Sequence, residues 1–180
     1  GAYCTGSVEE SLARLATDRI DVLFFHSPFS PDEIDDDVWD ALNKLRESGK
    51  VGFVGHSISE FENTQAMERQ WAADGRTDAI QVVTNLINRQ SKDLIRDLGE
   101  QGGGVVAREC LANGFLTDAV QRDTVFAEGN LNKRYSREEI VERVEHIEKF
   151  HFLRNEQLQS TAQIAMRWVL DNEHVLTVLT

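Results

Sequence analysis

The stretch Ile20-Asp21-Val22-Leu23-Phe24-Phe25, followed by His26, decides the fold class, because it has the composition of a short strand buried on both faces. Four further runs of apolar, β-branched or aromatic residues follow it, at Val51–Val54, Ala79–Val83, Val105–Ala107 and Val175–Leu179. Most of these runs are continuous rather than alternating, which is typical of parallel strands covered by helices. The sequence therefore predicts five strands of a largely parallel sheet.

Helical patterns lie between the predicted strands. Apolar residues recur at i, i+4 and i+7 in three sets: Val8/Leu12/Leu15, Val38/Leu42/Leu45 and Ile140/Val144/Ile147. Four capping-box patterns mark predicted helix starts: Ser7-x-x-Glu10, Ser59-x-x-Glu62, Ser136-x-x-Glu139 and Ser160-x-x-Gln163. Glycines at 49, 75 and 102–104 stand where helices should end. Alternating strands and helices predict an α/β fold with a parallel sheet.

The five strands fit two architectures. They could form an open doubly wound sheet, or they could be part of an eight-stranded (β/α)8 barrel; periodicity does not separate the two. The interval from 108 to 174 is too long for one βα unit and holds a polar loop, Asn113–Arg134, and two helices. Barrel enzymes place substrate loops after strand ends. We find no linker, so residues 1–180 are predicted to form one domain.

Composition excludes several classes of protein. The chain has 180 residues, with 19 Lys+Arg against 31 Asp+Glu, a formal charge of −12. That balance argues against nucleic-acid binding, and no apolar run reaches the ~18–20 residues of a membrane span. Cys4 and Cys110 lack a CxxC spacing, which argues against a disulfide scaffold or zinc site and favours a reducing, cytoplasmic location. The first ten residues do not resemble a signal peptide.

The segment Gly55-His56-Ser57-Ile58-Ser59 allows two interpretations. It follows a predicted strand and precedes a predicted helix, which is the context of a serine-hydrolase nucleophile turn built on Ser57. That motif has Gly at the fifth position, where this chain has Ser59. In the other interpretation, Ser57 is a polar strand-end group and Ser59 caps the helix.

Three further polar residues stand at or within apolar strands. His26 ends the first strand, where parallel-sheet enzymes place their active sites, and could act as a general acid or carbonyl donor. Gln81 and Arg108 interrupt or end later strands, so each either faces a ligand or closes a structural network. The acids at 35–37 are interpreted as partners of a helix dipole, and no metal site is predicted.

Together these pieces resemble the aldo-keto reductases over nearly the whole chain, and their order and spacing are specific. The stretches that carry the resemblance are Ser7–Leu15 with Thr17-Asp18 and Ile20-Asp21, Phe25-His26-Ser27-Pro28, Gly49-Lys50-Val51 before Val54-Gly55-His56-Ser57, Gln81-Val82-Val83-Thr84-Asn85, and Val106-Ala107-Arg108 leading to Leu111–Thr117. The resemblance implies a (β/α)8 barrel, of which this chain supplies strands 4–8, and NADPH-dependent reduction of aldehydes or ketones.

The resemblance also implies roles for individual residues. His26 corresponds to the catalytic histidine that orients the substrate carbonyl, and Ser57 and Gln81 to the side chains that bind the nicotinamide carboxamide. Arg108 stands where many members have a tyrosine stacked on the nicotinamide, which is a departure from the family pattern. Glu109, Leu111 and Asn113 resemble the loop around the cofactor pyrophosphate.

The resemblance makes the chain an expected fragment of a barrel. The strands that carry the Asp, Tyr and Lys of the family tetrad have no counterpart here, and Tyr3 and Tyr135 stand in other places. The sequence starts with Gly1 rather than Met. We therefore expect the parent protein to be a reductase and the chain alone to be inactive. A serine hydrolase using Ser57 and a non-catalytic nucleotide-binding regulator are the alternatives.

Overall fold

The structure is a computed structural model that describes residues 1–58 and 62–180. The helices are α1 Ala2–Leu15, α2 Asp36–Glu47, α3 Glu62–Ala73, α4 Lys92–Glu100, α5 Arg137–Glu148 and α6 Thr161–Leu170. The strands are β1 Ile20–His26, β2 Val51–Ser57, β3 Ala79–Val83, β4 Gly104–Arg108 and β5 Thr177–Val178. The predicted α/β alternation is thereby confirmed, although the fifth strand is shorter than the predicted Val175–Leu179.

The strands are hydrogen-bonded in the order β1-β2-β3-β4-β5, which is also their order along the chain. β1 pairs in parallel with β2, and β2 pairs in parallel with β3. A doubly wound sheet reverses the direction in which strands are added at a switch point. No such reversal occurs among the five strands of the described residues, so the order favours the barrel alternative.

By its internal contacts the chain divides into two compact units. Unit 1 comprises residues 1–82 and 91–106, and unit 2 comprises residues 83–90 and 107–180. The expectation of a single incomplete barrel domain over residues 1–180 stays a prediction.

The core of unit 1 lies between helices and one face of the sheet. Its buried members are Val8, Leu12, Trp39, Leu42, Leu45, Val51, Val54, Met67 and Trp71. The predicted stripes of α1 and α2 account for four of them. Leu15 does not join the core: its side chain is 67% exposed, because α1 ends at this residue and Ala16 turns the chain with a left-handed backbone conformation.

One carboxylate ties the amino end of β3 to β2. Asp78, which precedes β3, accepts a hydrogen bond from the Val54 amide at 2.8 Å, and its own amide donates to the Val54 carbonyl at 2.7 Å. Arg46 of α2 pairs with the same carboxylate. The Asp78 side chain therefore adds a hydrogen bond between β2 and the residue before β3, and its ion pair with Arg46 attaches α2 to the sheet.

The core of unit 2 gathers around Phe115, which is 2% exposed. The predicted α5 stripe of Ile140, Val144 and Ile147 is buried in it. The Phe115 ring lies 6.0 Å from that of Phe126 and 5.6 Å from that of Tyr135. Phe126 in the polar loop and Tyr135 just after it are therefore both used in packing.

The capping predictions have mixed outcomes. Ser136 with Glu139 and Ser160 with Gln163 form complete capping boxes, so these predictions are confirmed. The Ser7-x-x-Glu10 prediction is wrong, because α1 begins at Ala2 and Ser7 lies inside the helix. The Ser59 end of the remaining pattern lies outside the described residues.

Three other sequence predictions concern the glycines at helix ends, the two cysteines and membrane-spanning segments. Gly49, Gly75 and Gly102 turn the chain with positive φ angles of 77°, 70° and 82°, as predicted for helix ends. Cys4 and Cys110 are free thiols. Among the helices of the described ranges, none has the length and apolar character needed to cross a bilayer.

Candidate active site

Three candidate residues lie side by side on neighbouring strands of unit 1: His26 and Ser57 end β1 and β2, and Gln81 is the middle residue of β3. In the strand register, His26 is opposite Ser57, and Ser57 is opposite Gln81. The backbone continues this alignment, since the Ser27 amide donates to the Ser57 carbonyl and the Ile58 amide to the Gln81 carbonyl, both at 2.9 Å. The structure thus brings His26, Ser57 and Gln81 together in one row across three neighbouring strands.

The side chains of these three residues offer different chemistry. Since successive side chains alternate across a strand, directly opposed residues project from the same face of the sheet. The Ser57 hydroxyl, almost fully buried, donates to Oε1 of the half-buried Gln81 at 3.4 Å, a long hydrogen bond, and His26 is exposed. The row therefore provides a hydroxyl and an amide for a polar ligand, with an accessible imidazole beside them.

The contacts of Ser57 do not favour the hydrolase interpretation. Its hydroxyl has an amide oxygen as acceptor rather than an imidazole nitrogen. The adjacent His56 projects to the other face of β2, where its Nδ1 lies 2.9 Å from the carboxylate of Glu68. Ser59, the fifth residue of the proposed turn, lies outside the described residues.

The structure contains a buried polar network that no pattern in the sequence predicts. His56 and Glu68 are both fully buried, and Glu68 accepts a further hydrogen bond from the Thr77 hydroxyl at 2.9 Å. Burial raises the pKa of the Glu68 carboxyl, and the hydrogen bonds from His56 and Thr77 oppose this shift in part. The only sequence signal was Glu68 standing three residues before Trp71, on the same face of α3.

In unit 2, three of the predicted residues form one cluster at the end of β4 and just beyond it. Nη1 of Arg108 pairs with Oε1 of Glu109 at 2.7 Å, and the Asn113 amide donates to Oε2 of Glu109 at 3.1 Å. Asn85 donates to the Glu109 backbone carbonyl at 2.9 Å, a contact that the sequence analysis did not foresee. Leu111 instead packs its half-buried side chain against the unit 2 core.

The backbone of this segment is unusual. Glu109, Ala112 and Asn113 have positive φ angles of 54°, 49° and 54°, a region that non-glycine residues seldom occupy. Strain of this kind tends to be retained at ligand-binding segments, where the surrounding structure holds it. Hydrogen bonds to the side-chain carboxylate and to the backbone carbonyl of Glu109 hold this conformation in place.

The described residues contain no group of three or more His, Cys, Asp or Glu side chains that could hold a metal ion. The polar groups at the strand ends are instead hydroxyl, amide, imidazole and guanidinium groups. Such groups bind organic ligands through hydrogen bonds and charge.

Comparison with known proteins identifies the family. The sequence profile described as "Aldo/keto reductase family" matches residues 2–180. The chain belongs to the aldo/keto reductase family.

Individual members of the family agree with this assignment. The chain is 27% identical to the L-glyceraldehyde 3-phosphate reductase of Escherichia coli (strain K12), over 98% of the chain and 54% of that protein. It is also 27% identical to the "Aldo-keto reductase yakc [NADP(+)]" of Schizosaccharomyces pombe, over 93% of the chain and 50% of that protein. The chain spans about half the length of these curated relatives.

A solved structure supports the barrel assignment. The glycerol dehydrogenase AKR11B4 from Gluconobacter oxydans matches 96% of the chain with a TM-score of 0.79 and 27% sequence identity, and the match covers 53% of that protein. Aldo/keto reductases are (β/α)8 barrels, so the five strands correspond to part of such a barrel. The predicted partial barrel is confirmed.

Proposed function

We propose that this aldo/keto reductase acts as an NADPH-dependent oxidoreductase that reduces aldehydes or ketones to alcohols. The observation that carries the proposal is the row of His26, Ser57 and Gln81 across three neighbouring strands of unit 1. Membership of the family supports it, and so does the NADP(+) in the name of the Schizosaccharomyces pombe relative.

The Ser57–Gln81 pair fits a nicotinamide carboxamide. A carboxamide needs both a hydrogen-bond donor and an acceptor, and a hydroxyl beside a side-chain amide offers both. The long 3.4 Å bond between Ser57 and Gln81 costs little to exchange for bonds to a ligand. Both side chains stand on the strands of a sheet, which hold them more rigidly than loops would.

The cluster of unit 2 fits phosphate groups. Arg108 supplies a guanidinium, which suits phosphate geometry, and Asn113 supplies an amide donor. Glu109 pairs with both, so it must release them for a phosphate to bind. Leu111 would contribute through its backbone, because its side chain belongs to the unit 2 core.

His26 would hold the substrate. When bound, NADPH supplies the hydride that reduces the carbonyl carbon. The exposed imidazole of His26 can donate a hydrogen bond to the carbonyl oxygen and so orient and polarise it. We propose a small carbonyl compound as substrate, and a reducing compartment such as the cytoplasm, in which Cys4 and Cys110 would stay free.

Protonation of the product needs a further acid. Tyr3 is 90% exposed on α1, and Tyr135 packs on Phe115 with the Arg143 guanidinium 4.2 Å from its ring. Neither arrangement resembles a proton donor aimed at a substrate. We therefore expect the 180-residue chain alone to bind NADPH without turning over aldehydes, and steady NADPH oxidation by this chain would contradict that expectation.

Titration of the chain with NADPH, followed by nicotinamide fluorescence, tests the proposal. Ser57→Ala and Gln81→Met each remove a polar partner of the carboxamide and should raise Kd by about threefold to tenfold, the loss of roughly one hydrogen bond. Ser11→Ala is the matched control, because its hydroxyl serves only an exposed bond within α1.

The outcomes separate the alternatives. NADPH binding that responds to Ser57 and Gln81 but not to Ser11 supports the proposal. Equal binding by all variants, or none by the unaltered chain, contradicts it. Labelling of Ser57 by a fluorophosphonate would favour the serine-hydrolase alternative. Tight NADPH binding without turnover by a longer form of the protein would favour the non-catalytic nucleotide-binding regulator.

A further inference from the structure

The buried network behind Ser57 has a geometry that the proposed function does not use. It links three elements of unit 1: His56 on β2, Glu68 on α3, and Thr77 in the loop between α3 and β3. Both carboxylate oxygens of Glu68 are occupied, Oε2 by Nδ1 of His56 and Oε1 by the Thr77 hydroxyl, each at 2.9 Å. A carboxylate satisfied in this way holds the three elements in one arrangement.

The imidazole of His56 has a defined orientation. Its ring centroid lies 5.0 Å from that of Trp71, and its side chain is 0% exposed. Within residues 1–58 and 62–180, Nε2 contacts no hydrogen-bond partner. A proton on Nε2 would be a buried donor without an acceptor, whereas a proton on Nδ1 bonds to Glu68. The geometry therefore favours the neutral ring with its proton on Nδ1.

We propose that His56 is a positioning residue for the ligand-binding pair, and that its Nδ1–H···Glu68 bond fixes the carboxyl end of β2. The next residue, Ser57, is the one that pairs with Gln81, so a rotation of β2 at His56 would move the hydroxyl directly. The role as an aid to cofactor binding rests on the proposed function; the mechanical link between His56 and Ser57 does not.

Substitutions at His56 separate hydrogen bonding from packing. His56→Phe keeps the ring volume against Trp71 but has no donor. His56→Asn loses volume but can donate from its amide at about the position of Nδ1. If the hydrogen bond positions Ser57, Asn retains the Ser57 backbone amide and Gln81 side-chain amide NMR shifts, whereas Phe displaces them. If packing alone matters, the order is reversed, and that result would overturn the proposal.

Two further measurements protect the test against variants that fail to fold. Long-range 15N NMR of the unaltered chain should show a protonated Nδ1 and an unprotonated Nε2 for His56, and the opposite tautomer would overturn the proposal. Thr77→Val removes one donor to Glu68 at nearly constant volume and should shift the His56 ring and Ser57 amide signals, whereas Thr77→Ser should leave them in place. Unchanged signals in Thr77→Val would also overturn it.

NADPH titration distinguishes this inference from the proposed function. His56→Phe should raise Kd for NADPH by about threefold to tenfold, and His56→Asn should leave Kd near that of the unaltered chain. If the unaltered chain binds no NADPH, the proposed function fails, while the NMR signals still decide whether His56 positions Ser57. If NADPH binds but the signals of Ser57 do not respond to His56→Phe, the positioning role fails alone.

Discussion

Replacing Gly55 by alanine should destabilise unit 1, because the space in front of this glycine is occupied. Gly55 lies opposite Phe24 in the β1–β2 register. A Cβ built at position 55 would lie 2.6 Å from Cδ1 of Phe24 and 3.0 Å from the backbone carbonyl oxygen of Ala79. The ring can rotate away, but the carbonyl belongs to a neighbouring strand and can move only with it.

The expected loss in the free energy of unfolding follows from two opposing effects. Alanine restricts the unfolded chain more than glycine does, which would stabilise the protein by about 0.5–1 kcal/mol if it fitted. Overpacking costs about 1–3 kcal/mol. With mid-range values of about 2 kcal/mol for the cost and about 0.75 kcal/mol for the gain, the net loss should be about 1.25 kcal/mol, which at a urea m-value of about 2 kcal/mol/M lowers the unfolding midpoint by roughly 0.6 M. Tryptophan fluorescence reports it, since Trp39 and Trp71 lie in the unit 1 core.

Gly6→Ala provides the matched control. Gly6 is inside α1, and nothing lies within 4 Å of a Cβ built there. The same substitution should therefore raise stability by about 0.5–1 kcal/mol, the difference in helix propensity. Phe24→Val in the Gly55→Ala background should recover part of the loss by making room. A midpoint for Gly55→Ala equal to or above that of the unaltered chain would refute the steric argument.

Three other predictions concern helix ends, the unit 2 core and acid stability. Ser136→Ala should lower the free energy of unfolding by about 1 kcal/mol through loss of its capping box, whereas Ser7→Ala inside α1 should change it by less than about 0.5 kcal/mol in urea titrations. Phe115→Ala should cost about 3–5 kcal/mol, and Phe152→Ala, at a side chain 79% exposed, should cost almost nothing; equal losses would contradict the packing. Partial burial raises the pKa of the Asp118 carboxyl, but the Thr161 hydrogen bonds and the charge of Arg154 outweigh this and leave the pKa below its ordinary value. The carboxylate therefore stabilises the protein at neutral pH and loses this effect as the pH falls below about 4, so thermal unfolding of Asp118→Asn should be less sensitive to acid than that of the unaltered chain.

The sequence was most informative where burial imposes a pattern. Continuous apolar runs are typical of strands, so four of the five strands could be located closely, and His26, Ser57 and Gln81 stood out as polar residues in or at the end of them. The predicted burial of β1 on both faces is wrong, because Val22 of β1 and Phe53 of the neighbouring β2 have exposed side chains. The α5 stripe and its capping box were equally clear, because the helix is amphipathic and Ser136 is its N-cap.

The parts that could not be predicted depend on contacts distant in sequence. Glu68 in a helix is ordinarily a solvent-facing residue, and its burial follows only from a histidine twelve residues away on a neighbouring strand. Ser7 resembles a helix start, but α1 begins five residues earlier because its preceding residues also adopt helical geometry. The Glu109 cluster at the end of β4 also includes Asn85, which follows β3.

The Asp78 anchor has a consequence for how the protein could be altered. Asp78 and Val54 each precede a residue of the proposed ligand-binding pair, Gln81 and Ser57, by three positions, which is about 10 Å along a strand. The side chain that links the two strands, Asp78, is therefore different from the side chains of Ser57 and Gln81, which are proposed to bind the ligand. A library randomised at positions 57 and 81 would leave Asp78 and its hydrogen bond to Val54 unchanged. New ligand preferences could therefore be selected without first compensating for lost stability.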